Sequence, residues 1–296
     1  MRWLLVFTFL LIASPAWADT AAGVAAYDRG DFETALRELK PAAENGDPVA
    51  QTKLGLMFVK GLGMERDAPA AVEWFRKAAA QGDPEGQYSL GVAYDIGDTG
   101  TKDPAQALLW YRKSAEQGYA KAQYNLGHML VNDPDPSGHV EGAGWVLKAA
   151  EQEHAGAMHL YGNLCGGGHG VSQNLLCARY WLARADAAGE ARSKKILAIT
   201  EDGIAEMEAA GVPKTSGGDG STQERAILLP DAKDEIEGVK AEHIVVRAYF
   251  EDWKWQSQAL INTPDLHIYD AIELTGPGGA TKTIYFDIHN WFGKLE

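Results

Sequence analysis

Two cysteines, no cluster of lysine or arginine, and no apolar run of 18 residues beyond the N-terminal segment mark what this 296-residue sequence lacks. Two cysteines without a CxxC pair cannot supply a tetrahedral zinc site. A chain with a formal net charge of −14 and no local basic patch gains nothing from counterion release and is repelled by anionic lipid. Nucleic acid is therefore excluded as a partner. Without a long apolar run, membrane insertion is not expected once the N-terminal segment is removed. The common catalytic signatures are missing too: there is no SxxK, GxSxG, HExxH or GxxxxGK[ST]. No metal, no cofactor and no enzymatic activity are expected. What remains is a chain with 46% hydrophobic and 23% charged residues, able to build a core.

The N-terminus reads as a secretory signal, residues 1–18. Arg2 is its basic region, Trp3 to Ala13 the apolar run, and Ala16-Trp17-Ala18 the small-x-small site before Asp19. The mature chain is expected to be exported, periplasmic or released from a bacterium. In an oxidising compartment the even count favours a disulfide between Cys165 and Cys177. Closing so short a loop contributes about 3 kcal/mol in the chain-entropy model.

What is abundant is repetition. Leu54-Gly55, Leu90-Gly91, Leu126-Gly127 and Tyr161-Gly162 lie 36, 36 and 35 residues apart, and Trp74, Trp110, Trp145 and Trp181 follow at the same rhythm. Such a period marks stacked units, each too small to bury its apolar face alone. Each unit reads as two antiparallel helices. Ala71, Trp74, Phe75, Ala78 and Ala79 recur at helical spacing, as do Ala107, Trp110, Tyr111, Ser114 and Ala115. One Trp per unit is expected to fill the gap between neighbours. Gly46-Asp47-Pro48 and Gly82-Asp83-Pro84 supply a left-handed glycine, an N-cap and a first-turn proline.

The strings AQYNLGHML (Ala122 to Leu130), LLWYRKSAEQG (Leu108 to Gly118) and EWFRKAAAQG (Glu73 to Gly82) closely resemble the Sel-one-like repeat, a relative of the tetratricopeptide repeat. The resemblance covers about Val24 to Gly189. It implies an all-α, right-handed superhelical solenoid of helix pairs whose concave face serves as an adaptor for other proteins. Some exported members are credited with β-lactam hydrolysis, which the missing SxxK argues against here. The first unit, Tyr27 to Asn45, lacks the LG motif and looks like a cap. The third unit departs from the pattern, with Asn132-Asp133-Pro134-Asp135-Pro136 in place of the glycine turn and Glu153-His154 in place of the terminal QG. An irregular loop is expected there. Ala191 to Ala210 reads as the terminal cap.

The solenoid is assigned to 19–211, a flexible linker to 212–224 and a small α+β domain to 225–296. In that domain Asp231 to Phe250 has a helical pattern, and Trp255 to Ile261, His267 to Leu274 and Thr281 to Ile288 alternate as strands, with Gly276 to Gly279 as a turn. One helix on a three-stranded antiparallel sheet, docked on the solenoid or on a partner, is expected.

Candidate sites are few. Gly166 to Gly170 has the look of a phosphate cradle, yet it occupies the turn between paired helices. His154 and His159 are five apart and lie on different helix faces, and His243 falls on an apolar stripe. Asp270, Asp287 and His289 form either a small polar site or an ordinary solvated strand face. The better candidate is a column at equivalent first-helix positions: Thr52 and Leu56, Tyr88 and Val92, Tyr124 and His128, His159 and Asn163. Each pair is i,i+4 and presents one face, which suits a protein or peptide partner. The alternative for the tyrosines is packing between units. The function expected is an exported scaffold; the alternative is a cell-wall-associated hydrolase or ligand-binding protein with its site between solenoid and C-terminal domain.

Overall fold

In the computed structural model the described residues are 19–98, 100–213, 215–218, 226–228, 241–242, 244–246, 248–250, 253–263 and 268–288. The expected signal segment lies outside them. The chain divides into two compact units after Ala122.

The first unit is built from α1 (Thr20–Asp28), α2 (Phe32–Glu44), α3 (Pro48–Lys60), α4 (Ala68–Ala80), α5 (Pro84–Ile96) and α6 (Pro104–Glu116). An aspartate stands before every one of them. Asp19, Asp31, Asp47, Asp67, Asp83 and Asp103 each accept a hydrogen bond from the backbone N–H three residues on. Such caps satisfy donors the helix cannot use itself, at about 1 kcal/mol each. The paired helices close through the LG glycines. A Cβ at Gly55 would stand 2.5 Å from Phe75, and one at Gly91 would stand 2.7 Å from Tyr111. Only glycine lets the two backbones approach so closely.

The second unit continues with α7 (Ala120–Val131), a 3₁₀ turn at Pro136–Gly138, α8 (His139–Glu151), α9 (Ala155–Gly167), α10 (Leu175–Ala187) and α11 (Arg192–Ala209). The same closure recurs: Cβ atoms at Gly127 and Gly162 would meet Val146 at 2.6 Å and Leu182 at 2.7 Å. The irregular third loop is present as the Pro136–Gly138 turn. Glu153 takes the left-handed position, at φ 61°, where Gly82 and Gly118 stand in the earlier repeats.

The expectation that the tryptophans fill gaps between neighbours holds in part: Trp74 packs against the core of Ala35, Leu39 and Leu54, and Trp110 against that of Ala71, Phe75 and Leu90. Trp74, Trp110 and Trp145 are half-buried, and the fully enclosed slot against each LG glycine belongs to the next residue: Phe75, Tyr111, Val146 and Leu182. An indole is too large for the short glycine crossing. The first three tryptophans also carry the ammonium of Lys77, Lys113 and Lys148 over their rings at 4.0, 4.0 and 4.1 Å. Trp181 alone of the four is buried.

After α11 the chain forms a five-stranded sheet: β1 (Ser216–Gly217), β2 (Ile227–Leu228), β3 (Lys254–Asn262), β4 (Ile268–Thr275) and β5 (Thr281–Asp287), ordered β1-β2-β5-β4-β3. The antiparallel β3-β4-β5 meander follows the alternating pattern in the sequence. The two short strands were not legible, and β2 pairs parallel to β5. Residues described between 241 and 249 are helical. They share one core with the sheet and with the preceding helices: Val245, Val246 and Phe250 meet Ile272, Ile284 and Phe286 together with Leu176 of α10 and Ile204 of α11. The stretch read as a flexible linker enters this assembly. Ser216–Gly217 pairs with β2, and the Arg179 guanidinium donates to the Thr215 carbonyl at 2.9 Å.

Candidate functional site

In three successive helix pairs the same side chains tie the start of the first helix to the end of the second. In the first unit Gln81 donates its amide to Gln51 Oε1 at 2.8 Å, and Gln117 donates to Gln87 Oε1 at 2.8 Å. In the second unit Gln152 donates to Gln123 Oε1 at 2.7 Å. Gln51 and Gln87 also donate to the carbonyls of Ala43 and Ala79 in the helix before them. These buried amides have partners on both sides, which a buried polar group requires. The signal for them was present: Gln51, Gln87 and Gln123 recur every 36 residues, each three positions before the Leu of an LG motif.

The first member of every column pair faces the beginning of the next repeat. Thr52 is fully buried and donates its hydroxyl to Asp83 Oδ2 at 2.7 Å, the carboxylate that also caps α5 through Gly86 N–H. Tyr88 packs between Tyr111 and Tyr119, with ring centroids 5.9 and 5.3 Å away. Tyr124 stacks on His154 at 4.8 Å, and His154 Nδ1 caps α9 by accepting from Ala157 N–H. His159 reaches Ser193 Oγ at 2.9 Å through Nδ1 and Asn163 at 3.0 Å through Nε2. Burial, and then the Arg192 charge, hold His159 below the usual histidine range, with Glu190 opposing.

These four positions contact residues that lead into or open the next helix, and three of their i+4 partners are half-buried, as Tyr88, Tyr124 and His159 are. Leu56 packs partly against the Val72 and Phe75 cluster, Val92 and Asn163 are half-buried, and His128 is exposed with its ring 6.0 Å from Tyr124. The i,i+4 spacing located one helix face and did not distinguish the part directed along the stack from the part directed out of it.

Cys165 and Cys177 are bonded, joining the last turn of α9 to the first turn of α10. Between them Asn174 closes the loop: its N–H donates to the Cys165 carbonyl and its side chain accepts from Cys177 N–H. Gly168, inside the glycine-rich run, takes a left-handed conformation and ends α9 as an ordinary helix cap.

The polar strand site does not assemble as expected. Asp270 is opposite Phe286, whereas Asp287 is opposite Tyr269, so strand alternation puts the two acids on opposite faces of the sheet. His289 and His243 lie outside the described residues. Asp270 instead turns into the core, 2% exposed, where Gln258 of β3 donates to its Oδ2 and Glu242 is a neighbour. Among the described residues no group of three or more His, Cys, Asp or Glu could hold a metal ion, and no helix is long and apolar enough to cross a membrane. A cavity of about 310 Å³ lies within the second unit, walled by Asn174, Leu175, Met207, Tyr249, Phe250 and Trp253.

Repeated helix pairs closed on glycine and joined by recurrent amide ties define a tetratricopeptide-like solenoid. Residues 48–83, 84–119, 120–154 and 155–189 each match the Sel1 repeat. A solved Sel1 repeat protein from Oxalobacter formigenes is 30% identical at a TM-score of 0.56, covering 60% of this chain and 72% of its own. The chain belongs to the Sel1 repeat family. A protective antigen present in uropathogenic Escherichia coli strains, displaying an SLR fold, is 32% identical at a TM-score of 0.57; the match covers 61% of this chain and 40% of that one. No curated protein matches the chain. Sel1 repeat proteins are generally protein-interaction scaffolds, and the fold is typically non-enzymatic.

Proposed function

We propose that this protein is an exported scaffold that holds a protein or peptide partner on the concave face of its repeats. The observation carrying this reading is the division of labour within the column. Thr52, Tyr88, Tyr124 and His159 lock successive repeats, which gives their neighbours a rigid base. Leu56, Val92, His128 and Asn163 then present a mixed apolar and polar strip, one position per repeat. Preorganised strips of this kind bind without a large ordering cost. Export is supported by the N-terminal basic-apolar-small pattern and by the disulfide.

The test is site-specific photocrosslinking in cells, with the crosslinker placed in turn at Leu56, Val92 and His128, and at the exposed second-helix residue Glu116 as control. A discrete protein adduct from the first three and none from Glu116 is the expected result. Adducts from Glu116 alone would remove the concave face from the proposal.

A second reading, binding of a small cell-wall ligand, is favoured by the cavity beside Asn174 and Trp253. It is recognised by glycan or muropeptide, in place of protein, crosslinked to a probe at Met207.

A further inference from the structure

Among the described residues the C-terminal sheet hides a pair of acids that no motif announced. Glu242, from the helical residues at 241–242, 244–246 and 248–249, is 0% exposed, and Asp270, in the middle of β4, is 2% exposed. Gln258 of β3 donates to Asp270 Oδ2. Neither oxygen of Glu242 reaches an amide, hydroxyl or cationic partner among the described residues; the group acting on it is the Asp270 carboxyl. The sheet and the described residues at 241–250 share a core that includes Val245, Val246, Ile272, Ile284 and Phe286.

Two ionised carboxylates in such a core are disfavoured twice, by lost hydration and by mutual repulsion. Burial first, and Asp270 second, push the Glu242 carboxyl up to about 9. Among the described residues, the charges on the neighbouring elements have other partners. Lys282 of β5 sits over the Phe250 and Trp253 rings, eight or more residues along the chain from Glu242. Arg179 of α10 and Glu201 and Glu208 of α11 act on Tyr249.

We propose that the Glu242–Asp270 pair is a proton-held latch, which keeps the helical residues at 241–242, 244–246 and 248–249 against the sheet while one proton sits between the two carboxyls and releases them when that proton is lost. These residues share their core with Leu176 of α10 and Ile204 of α11. Release therefore uncovers the core linking sheet to repeats, and moves Tyr249 and Phe250 out of the cavity wall. The folded state holds the proton more tightly than the open chain. The stabilisation is thus complete below the ordinary Glu value of 4.5 and is lost as pH rises through about 9. Within that window each pH unit shifts the closed-to-open ratio by up to about tenfold.

Native-state hydrogen exchange on the full chain, corrected for base catalysis of exchange itself, reads this directly. Between pH 5 and 9 the opening equilibrium of amides at 241–249 and in β4 is expected to grow by up to about tenfold per unit, while amides of α3 to α6 show no such slope. Glu242→Gln, which has no proton to lose, flattens the profile, and Glu242→Leu does the same by a different shape. A flat wild-type profile overturns the proposal whether or not either variant folds. A slope that survives in a folded variant assigns the titration to another group and overturns it equally.

Discussion

Helices on the two sides of Ala122 repeat one plan with different punctuation. Before it, all six helices start on an aspartate cap. After it, α9 is capped by His154 and α10 by Asn174, while α8 and α11 have no side-chain cap. The glycine that ends the second helix of a repeat becomes Glu153, and the loop of the third repeat becomes a 3₁₀ turn. Yet the LG closure and the glutamine tie are kept in both. Closure and ties are made between helices, and caps are made within one. A stack held by the former tolerates loss of the latter, particularly where a disulfide and a shared sheet core reinforce the weaker end.

The largest effect should come from removing that reinforcement. Cys165→Ala with Cys177→Ala is expected to lower the stability of the second unit by about 3 kcal/mol in denaturant titration. The transition of helices α3 to α6 should stay in place. Equal loss in both regions would show that the chain melts as one body and the comparison is artificial.

Caps come next. Asp83→Ala removes both the α5 cap and the partner of buried Thr52, an expected loss of about 2 kcal/mol. His154→Ala removes a cap and a ring stack, for about 1 kcal/mol. If the histidine change proved the costlier, caps would matter more in the second unit, contrary to the account above.

Glu153 offers a gain. Its left-handed backbone costs an L-residue about 1 kcal/mol or more, partly offset by the greater freedom of an unfolded glycine. Glu153→Gly should therefore stabilise by about 0.5 kcal/mol, and Gly118→Glu in the first unit should destabilise by about 1 kcal/mol. Thermal shifts of opposite sign would sharpen the comparison; shifts of the same sign would break it.

The smallest effect is the pH response of His159. Its folded value is held below 6.5, so the unfolded chain takes up the proton first. Stability from this joint is full above 6.5 and lost as pH falls through the lower folded value. Solvent screening limits the change to a few tenths of a kcal/mol. His159→Gln should remove this acid sensitivity, which runs opposite in sign to that of the Glu242 latch.

Much of this architecture was legible because helix closure has a strict spacing. Gly91 and Tyr111 must meet, and their recurrence at Gly55 and Phe75 announces the unit. The β3, β4 and β5 strands were legible because their side chains alternate over seven or more residues. β1 and β2 were not, since two residues carry no alternation and Ser216-Gly217 has the composition of a linker. The roles within the column were not legible for another reason. A helical period fixes which residues share a face, but whether Tyr88 looks outward or onto Tyr119 depends on the rise of the next repeat. Glu242 was hidden because an apolar stripe does not reveal an acid buried beside it.

The glutamine ties have a consequence for behaviour in salt. An amide pair has no net charge, so added electrolyte has nothing there to screen. The chain carries −14, and its long-range self-repulsion must weaken as electrolyte is added. The Lys53–Glu85 pair, 2.6 Å apart between α3 and α5, weakens as well. The Gln51–Gln81, Gln87–Gln117 and Gln123–Gln152 contacts do not. The geometry within each of these helix pairs is thus held by ties that are electrically silent, and the acidic surface is free to vary in sequence without altering how the two helices of a pair meet.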